Sequence, residues 1–264
     1  MSVYAKEKPE YFRLAVESMI SQTTEPDEII VVQDGPLPTD LYSTVHEYAE
    51  RYPNLIQIVV SEKNIGLGLA LNLGLEHCRN ELVARMDTDD ISLPDRCQKQ
   101  LECFEKDSNL NICGTWIDEF LDSTNNVISS RKVPCEHKTI YKFGKRRSPF
   151  NHPTVMYRKS AVLDCKGYSD LRRNQDVDLF GRMLFHGFRA INIPESLLLF
   201  RADDSLVKRR KSWGNTASYI ETIHRLKAIG YSSFWDVFTV TIGQLIMFIV
   251  PVKVQQVLYS KFLR

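Results

Sequence analysis

The chain has 264 residues, 43% hydrophobic and 25% charged, with a formal net charge of +1. That composition specifies a packed globular core and excludes a disordered, collagenous or disulfide-stapled protein. The near-neutral total hides an asymmetry: residues 1–200 carry a net −5 and residues 201–264 a net +6. The basic end therefore suits an anionic partner, either a membrane surface or a phosphate-bearing substrate.

In chain order, Met1–Tyr4 reads as only the last residues of a first strand, so the start lies inside that element. Pro9–Gln22 predicts a helix with proline in its first turn. EIIVVQ (28–33) is a continuous apolar run, the mark of a strand buried on both faces. A helix over 38–51, a strand over 55–60, a helix over 68–78, the strand ELVARM (81–86) and a helix over 94–105 follow. This βαβαβα rhythm predicts an α/β fold with a mostly parallel central sheet and right-handed crossovers.

From residue 111 the rhythm changes to short strands (NICGTW, NNVISS, TVMYRK) mixed with helices, then a helix over 175–187 and a strand over 189–200. No linker-like tract divides the halves, which predicts one catalytic domain over 1–200 and an extension over 201–264. In that extension, residues 234–250 are strongly apolar, with Asp236, Thr239, Gly243 and Met247 on one helical stripe. Such a helix is about 24 Å long, short of the ~30 Å hydrocarbon core. Pro251 then breaks it before a second amphipathic, basic piece. Six cysteines without a C-x-x-C pair, and no signal-peptide pattern in the first residues, predict reduced thiols in the cytosol.

Each predicted parallel strand ends in polar residues: Asp34, then Ser61 with Asn64, then Asp87. In open α/β sheets ligands bind beyond the carboxyl ends of the strands, so these side chains should share one edge. Asp87, Asp89 and Asp90 place three carboxylates in four positions. Hard oxygen ligands of this kind suit Mg²⁺ or Mn²⁺. In an extended segment Asp87 and Asp89 share a side and Asp90 points elsewhere. The competing reading makes Asp90 or Ser92 a cap for the helix near Pro94.

MSVY, VVQDG (31–35), NIGLGLALNLGL (64–75), ARMDTDD (84–90), NHPTVMYRK (151–159) and NQDVDLFGRML (174–184) occur together in one order and spacing. In this set the chain resembles the family 2 glycosyltransferases of GT-A fold, in the subgroup that builds bacterial O-antigen and capsule. The resemblance implies a nucleotide-sugar half over 1–110 and an acceptor half over 111–200. It implies that Tyr4 stacks on uracil, that Asp34 accepts from the base, and that Asn64, Arg85 and Asp90 border the donor. Asp89 would bind the metal, with Asp87 assisting or holding the ribose.

The general base would be Asp176. The family's Glu-Asp pair reads Gln175-Asp176 here, which leaves open what the missing glutamate supplies. His152 would stand at the donor–acceptor junction. Arg201, with the basic run 208–211, would approach a diphosphate. The implied reaction is inverting transfer of a hexose from a UDP-sugar to a polyprenyl-diphosphate-linked saccharide. It would take place on the inner face of the cell membrane, reached through the C-terminal amphipathic helices, with no nucleic-acid partner. A nucleotidyltransferase is the rival enzyme, but Tyr4–Lys8 lacks its Gly-rich loop. A phosphatase with D-x-D-x-[TV] is disfavoured by Ile91. Gln175 also raises a degenerate, non-catalytic sugar-nucleotide-binding subunit.

Overall fold

The structure, a computed structural model, describes residues 1–121, 123–202 and 212–250. The basic run 208–211 and the second tail piece after Pro251 lie outside the described residues.

The first half follows the expected rhythm. Strands β1 (Ser2–Val3), β2 (Ile29–Asp34) and β3 (Ile56–Ser61) form a parallel sheet in that order, with Val3 opposite Gln33 and Asp34 opposite Ser61. Helices α1 (Pro9–Ile20), α2 (Thr39–Arg51) and α3 (Leu67–His77) connect and cover them. β2 is buried along its whole length, as its unbroken apolar run requires.

The next strand, β4, keeps only Leu82–Ala84 of the expected 81–86, and its ladder runs antiparallel to β8 (Met156–Arg158). Arg85 and the acidic residues after it leave the ladder to form a loop. A short strand not foreseen, β5 (Ile91–Ser92), precedes α4 (Arg96–Lys106). The second half is built on β6 (Leu110–Phe120), which pairs with β7 (Val127–Arg131), β8 and β9 (Arg189–Arg201). Only the β6–β9 pair is parallel; the other ladders here are antiparallel.

Helices α5 (His137–Gly144), α6 (Lys159–Asp164) and α7 (Gln175–Phe185) pack beside these strands. α7 ends before Gly187, whose φ of +84° is a left-handed stop, as its position predicts. Two further helices, α8 (Trp213–Ala228) and α9 (Phe234–Ile249), pack against each other, and α8 also packs on α7. Gly181 permits the α7–α8 contact: a Cβ there would lie 2.5 Å from Leu226 Cδ2.

Thr239 and Gly243 of the stripe on the tail helix are exposed, in contrast to Asp236. It is buried, forms a capping box with Ser233, and pairs with Arg146 at 2.5 Å. Val237 and Val240 face inward with it, leaving Phe234, Trp235, Phe238, Ile242, Ile246 and Ile249 exposed.

Candidate active site

At the end of β2, Asp34 meets the loop that carries Asn64. The Asp34 Oδ1 accepts from Ile65 N at 2.7 Å. Its Oδ2 accepts from Asn64 Nδ2 at 3.0 Å and Gly66 N at 3.2 Å. Three donors on one buried carboxylate fix the loop from β3 to α3, so Asp34 and Asn64 act as a unit. Gly35, at φ +86°, allows the approach: a Cβ there would lie 2.7 Å from Asn64 N. Tyr4 stands 40% exposed just beyond β1, on the same edge.

β4 delivers the acidic loop. Arg85 is buried and grips Asp87 with both terminal nitrogens, Nη1 to Oδ2 at 2.6 Å. Asp87, Asp89 and Asp90 each present an oxygen, all within 4.8 Å of one another. The expectation that Asp90 points elsewhere fails because the chain bends at 88–90, so strand alternation does not apply. Asp90 enters the cluster from beneath. It is wholly buried; its Oδ1 accepts from Arg201 N at 2.9 Å, and its Oδ2 has no partner. The capping alternative fails too. α4 begins at Arg96 after Asp95 with no side-chain cap, and Ser92 belongs to β5.

Burial, then the negative neighbours Asp87 and Glu7, push the Asp89 carboxyl up to about 7. Burial, then Asp89 and Asp87, raise the Asp90 carboxyl well above its ordinary value too. Glu7 is held by Thr88 Oγ1 at 2.8 Å. Nothing in Lys-Glu-Lys-Pro marked it in the sequence, because a charge run ordinarily reads as a solvated face. The donor set fits a divalent cation: three hard carboxylates, one of them with a buried oxygen that has no partner.

Arg201 is fixed at this loop. Its Nε donates to Asp89 O at 2.9 Å, and its guanidinium lies 3.9 Å from the Tyr11 ring and 4.6 Å from Phe120. One terminal nitrogen remains buried without a partner. His152 lies in a 3₁₀ turn (His152–Thr154), its Nε2 at 2.9 Å from Tyr168 Oη. Burial and then the Arg85 charge hold it well below its usual range, so it is neutral.

Asp176 opens α7. Burial raises its carboxyl, against the pull of Val177 N–H, Arg131 and Arg85. Gln175 packs toward α3, its Cγ 3.2 Å from where a Cβ on Gly68 would be, and its Oε1 has no partner. Asp178 turns away to pair with Arg182 at 2.8 Å, as its helical offset requires. The charge of Arg85 acts on Asp87, Asp89, His152 and Asp176. The acidic loop and the start of α7 therefore lie within the field of one buried guanidinium. Arg131, Tyr168 and Tyr219, which share the electrostatic environment of Asp176, carried no motif signal.

Residues 1–167 match the glycosyl transferase family 2. An uncharacterized glycosyltransferase of Haemophilus influenzae is 37% identical over all of this chain and 97% of its own length. The amylovoran biosynthesis glycosyltransferase AmsE of Erwinia amylovora is 35% identical over 99% of this chain and 97% of its own. A UDP-Gal:alpha-D-GlcNAc-diphosphoundecaprenol beta-1,3-galactosyltransferase of Escherichia coli is 31% identical over all of this chain and 95% of its own. Among solved structures, the mannosyltransferase PcManGT from Pyrobaculum calidifontis, in complex with GDP-Man and Mn²⁺, matches 98% of this chain and 83% of its own at TM-score 0.62 and 13% identity. Staphylococcus aureus TarS 1-349 with UDP-GlcNAc matches 92% of this chain and 71% of its own at TM-score 0.63 and 15% identity. At such identities the structures show the fold alone, which is GT-A. The sequence relatives show more: the chain belongs to glycosyl transferase family 2 and is a transferase.

Proposed function

We propose that the protein moves a hexosyl unit from a UDP-sugar to a polyprenyl-diphosphate-linked saccharide, with inversion, in the assembly of a bacterial surface polysaccharide. What supports this reading is a cation-competent carboxylate set beside Arg85 and a separate, half-buried carboxylate, Asp176, within the field of the same guanidinium. The named donor and acceptor of the E. coli relative support the substrate classes.

Residues 1–110 form the donor side and 111–200 the acceptor side, with 201–264 as the extension. Tyr4 offers an exposed ring for the uracil, and the Asp34–Asn64 unit sets the wall beside it. Asp87 and Asp89 would hold Mn²⁺ or Mg²⁺, which offsets the charge of the departing diphosphate. Arg85 keeps Asp87 oriented, Asp90 supports the loop from below, and Arg201 braces it while keeping one donor for a phosphate oxygen.

In the transfer, the acceptor hydroxyl oxygen bonds to the anomeric carbon while the bond to the diphosphate breaks. UDP departs with the electron pair. Asp176 takes the hydroxyl proton, and its raised affinity for protons suits a base. Neutral His152 lines the junction as a hydrogen-bonding group.

The exposed apolar stripe of α9 rests on the inner face of the membrane, with Lys227 Nζ 5.5 Å from the Phe234 ring at its start. No helix among the described residues is long and apolar enough to cross a membrane.

The test is a panel of UDP-sugars with and without Mn²⁺, scored by binding and by UDP release as the hexosyl unit passes to a polyprenyl-diphosphate-GlcNAc acceptor. Cation-dependent turnover of one donor is expected. Failure of every UDP-sugar to bind overturns the reading.

A further inference from the structure

α8 holds two basic segments side by side. Ser218 Oγ donates to Arg173 O at 3.1 Å and accepts from Asn174 Nδ2 at 3.2 Å. The next residue, Tyr219, donates its hydroxyl to Arg146 O at 3.1 Å and accepts from Ser148 N–H. One turn of helix thus fixes the chain ahead of α7, where Arg172 and Arg173 are exposed, beside the loop with Lys145, Arg146 and Arg147. That loop closes a stretch, 137–149, that carries five Lys/Arg and no Asp/Glu. Like charges gathered in this way weaken the fold unless an anion offsets them.

Two of the cations in this region serve the fold. Arg146 pairs through Nε with Asp236 at 2.5 Å. Arg131, behind the loop, donates to Ser148 O at 3.2 Å, Phe150 O at 3.3 Å and Asn151 Oδ1 at 2.8 Å. Arg147 is half-buried, its guanidinium carbon 5.2 Å from the Phe143 ring. Arg173 is exposed, with Nη1 3.4 Å from Ser212 Oγ. The charges of Arg147, Asp176 and Arg131 all act on the Tyr219 hydroxyl. The basic loop and the carboxylate assigned as base therefore share one electrostatic neighbourhood.

The same loop is bonded to the start of α9. Ser232 Oγ donates to Lys145 O at 2.8 Å, and Asp236, the partner of Arg146, lies in the first turn. From that turn Phe234, Trp235 and Phe238 are exposed. Direct contacts thus lead from an exposed apolar face to a basic loop, and the field of that loop reaches Asp176. A lipid-linked saccharide presents the same order of parts: an apolar chain, a diphosphate, a sugar. Arginine suits the middle part, because its planar fork meets two phosphate oxygens at once.

We propose that Arg147 and Arg173 form the site that holds the diphosphate of the lipid-linked acceptor, one from each of the two segments fixed by α8. The site rests on the proposed transfer to such an acceptor and adds the side chains that grip its anionic centre. Arg146 and Arg131 are positioning residues, held by Asp236 and by the carbonyls of the loop.

The test titrates two compounds into the full chain by calorimetry: alkyl-diphosphate-GlcNAc, and alkyl-GlcNAc without the diphosphate. The unaltered chain should bind the first about a hundredfold more tightly. Arg147→Gln should cut that preference about tenfold, and Arg147→Gln with Arg173→Gln should abolish it. Arg147→Lys should lose less, since the charge stays and only the fork goes. Binding of alkyl-GlcNAc and of UDP-sugar, and the thermal midpoint, should hold throughout. Equal binding of the two compounds by the unaltered chain would overturn the site. If the double variant keeps the preference while UDP-sugar binds normally, the site is refuted and the transfer reading stands. If no UDP-sugar binds any of the proteins, both fall. Lost sedimentation of the double variant with anionic vesicles, with the diphosphate preference intact, would assign the arginines to phospholipid headgroups and also overturn the site.

Discussion

At the scale of single residues, the site is a balance of charges held out of water. Asp176→Asn keeps the shape of α7 but cannot accept a proton. Turnover should fall by about 10²–10⁴-fold with UDP-sugar binding unchanged, a split that steady-state rates and calorimetry would resolve. Retained turnover would remove Asp176 from the mechanism. Because burial raises the Asp176 carboxyl, activity should climb with pH through that raised value as the base becomes ionised.

Asp89 supplies a second pH effect. Its folded-state value is raised from 3.8 to about 7, so the fold favours the protonated form. Its contribution to the stability of the metal-free protein is full below about pH 4 and is lost as pH rises through 7. Cation binding needs the ionised carboxylate, so Mn²⁺ affinity should weaken about tenfold per unit below pH 7. Calorimetric titrations at two pH values would measure this; an affinity independent of pH would count against Asp89 as a ligand.

At the scale of elements, two devices position the site. Arg96 is fully buried in α4 and donates to Arg85 O at 3.2 Å and Pro153 O at 2.8 Å. Gln100, one turn later, donates to Cys113 O and Thr154 O, each at 2.8 Å. α4 thus ties the exit of β4 to the His152 turn. Arg96→Met should cost roughly 2–4 kcal/mol, through stranded carbonyls and lost packing. Chemical denaturation would read that loss. Gly181 is the second device. Gly181→Val would drive a side chain into Leu226 and part α8 from α7, lowering stability by about 1–3 kcal/mol.

At the scale of the whole molecule, the tail is both covering and surface. Removing everything after Gly230 would also remove Tyr231, whose hydroxyl donates to Tyr141 O at 2.6 Å, and the Asp236–Arg146 pair. A truncation therefore confuses unfolding with release from a membrane. Replacing Trp235, Phe238 and Ile242 with serine alters only exposed positions of α9. That variant should keep its thermal midpoint yet lose sedimentation with anionic vesicles. Unchanged sedimentation would sink the docking role of α9.

The sequence by itself determined the parallel first half, since unbroken apolar runs such as 29–32 can only be strands covered on both faces. It also marked Asp34 and the acidic loop as strand-end polar residues, while Asp176 was singled out by the family resemblance alone. Only the tertiary structure decided that Asp34 is spent on Asn64 and Gly66, and that Asp90 lies beneath Asp89. It alone joined Glu7 to the cluster, and turned the apolar side of α9 outward. Those outcomes rest on contacts between residues tens of positions apart, set by which strand edges meet and which charges must be neutralised on burial. No periodicity along the chain carries that information.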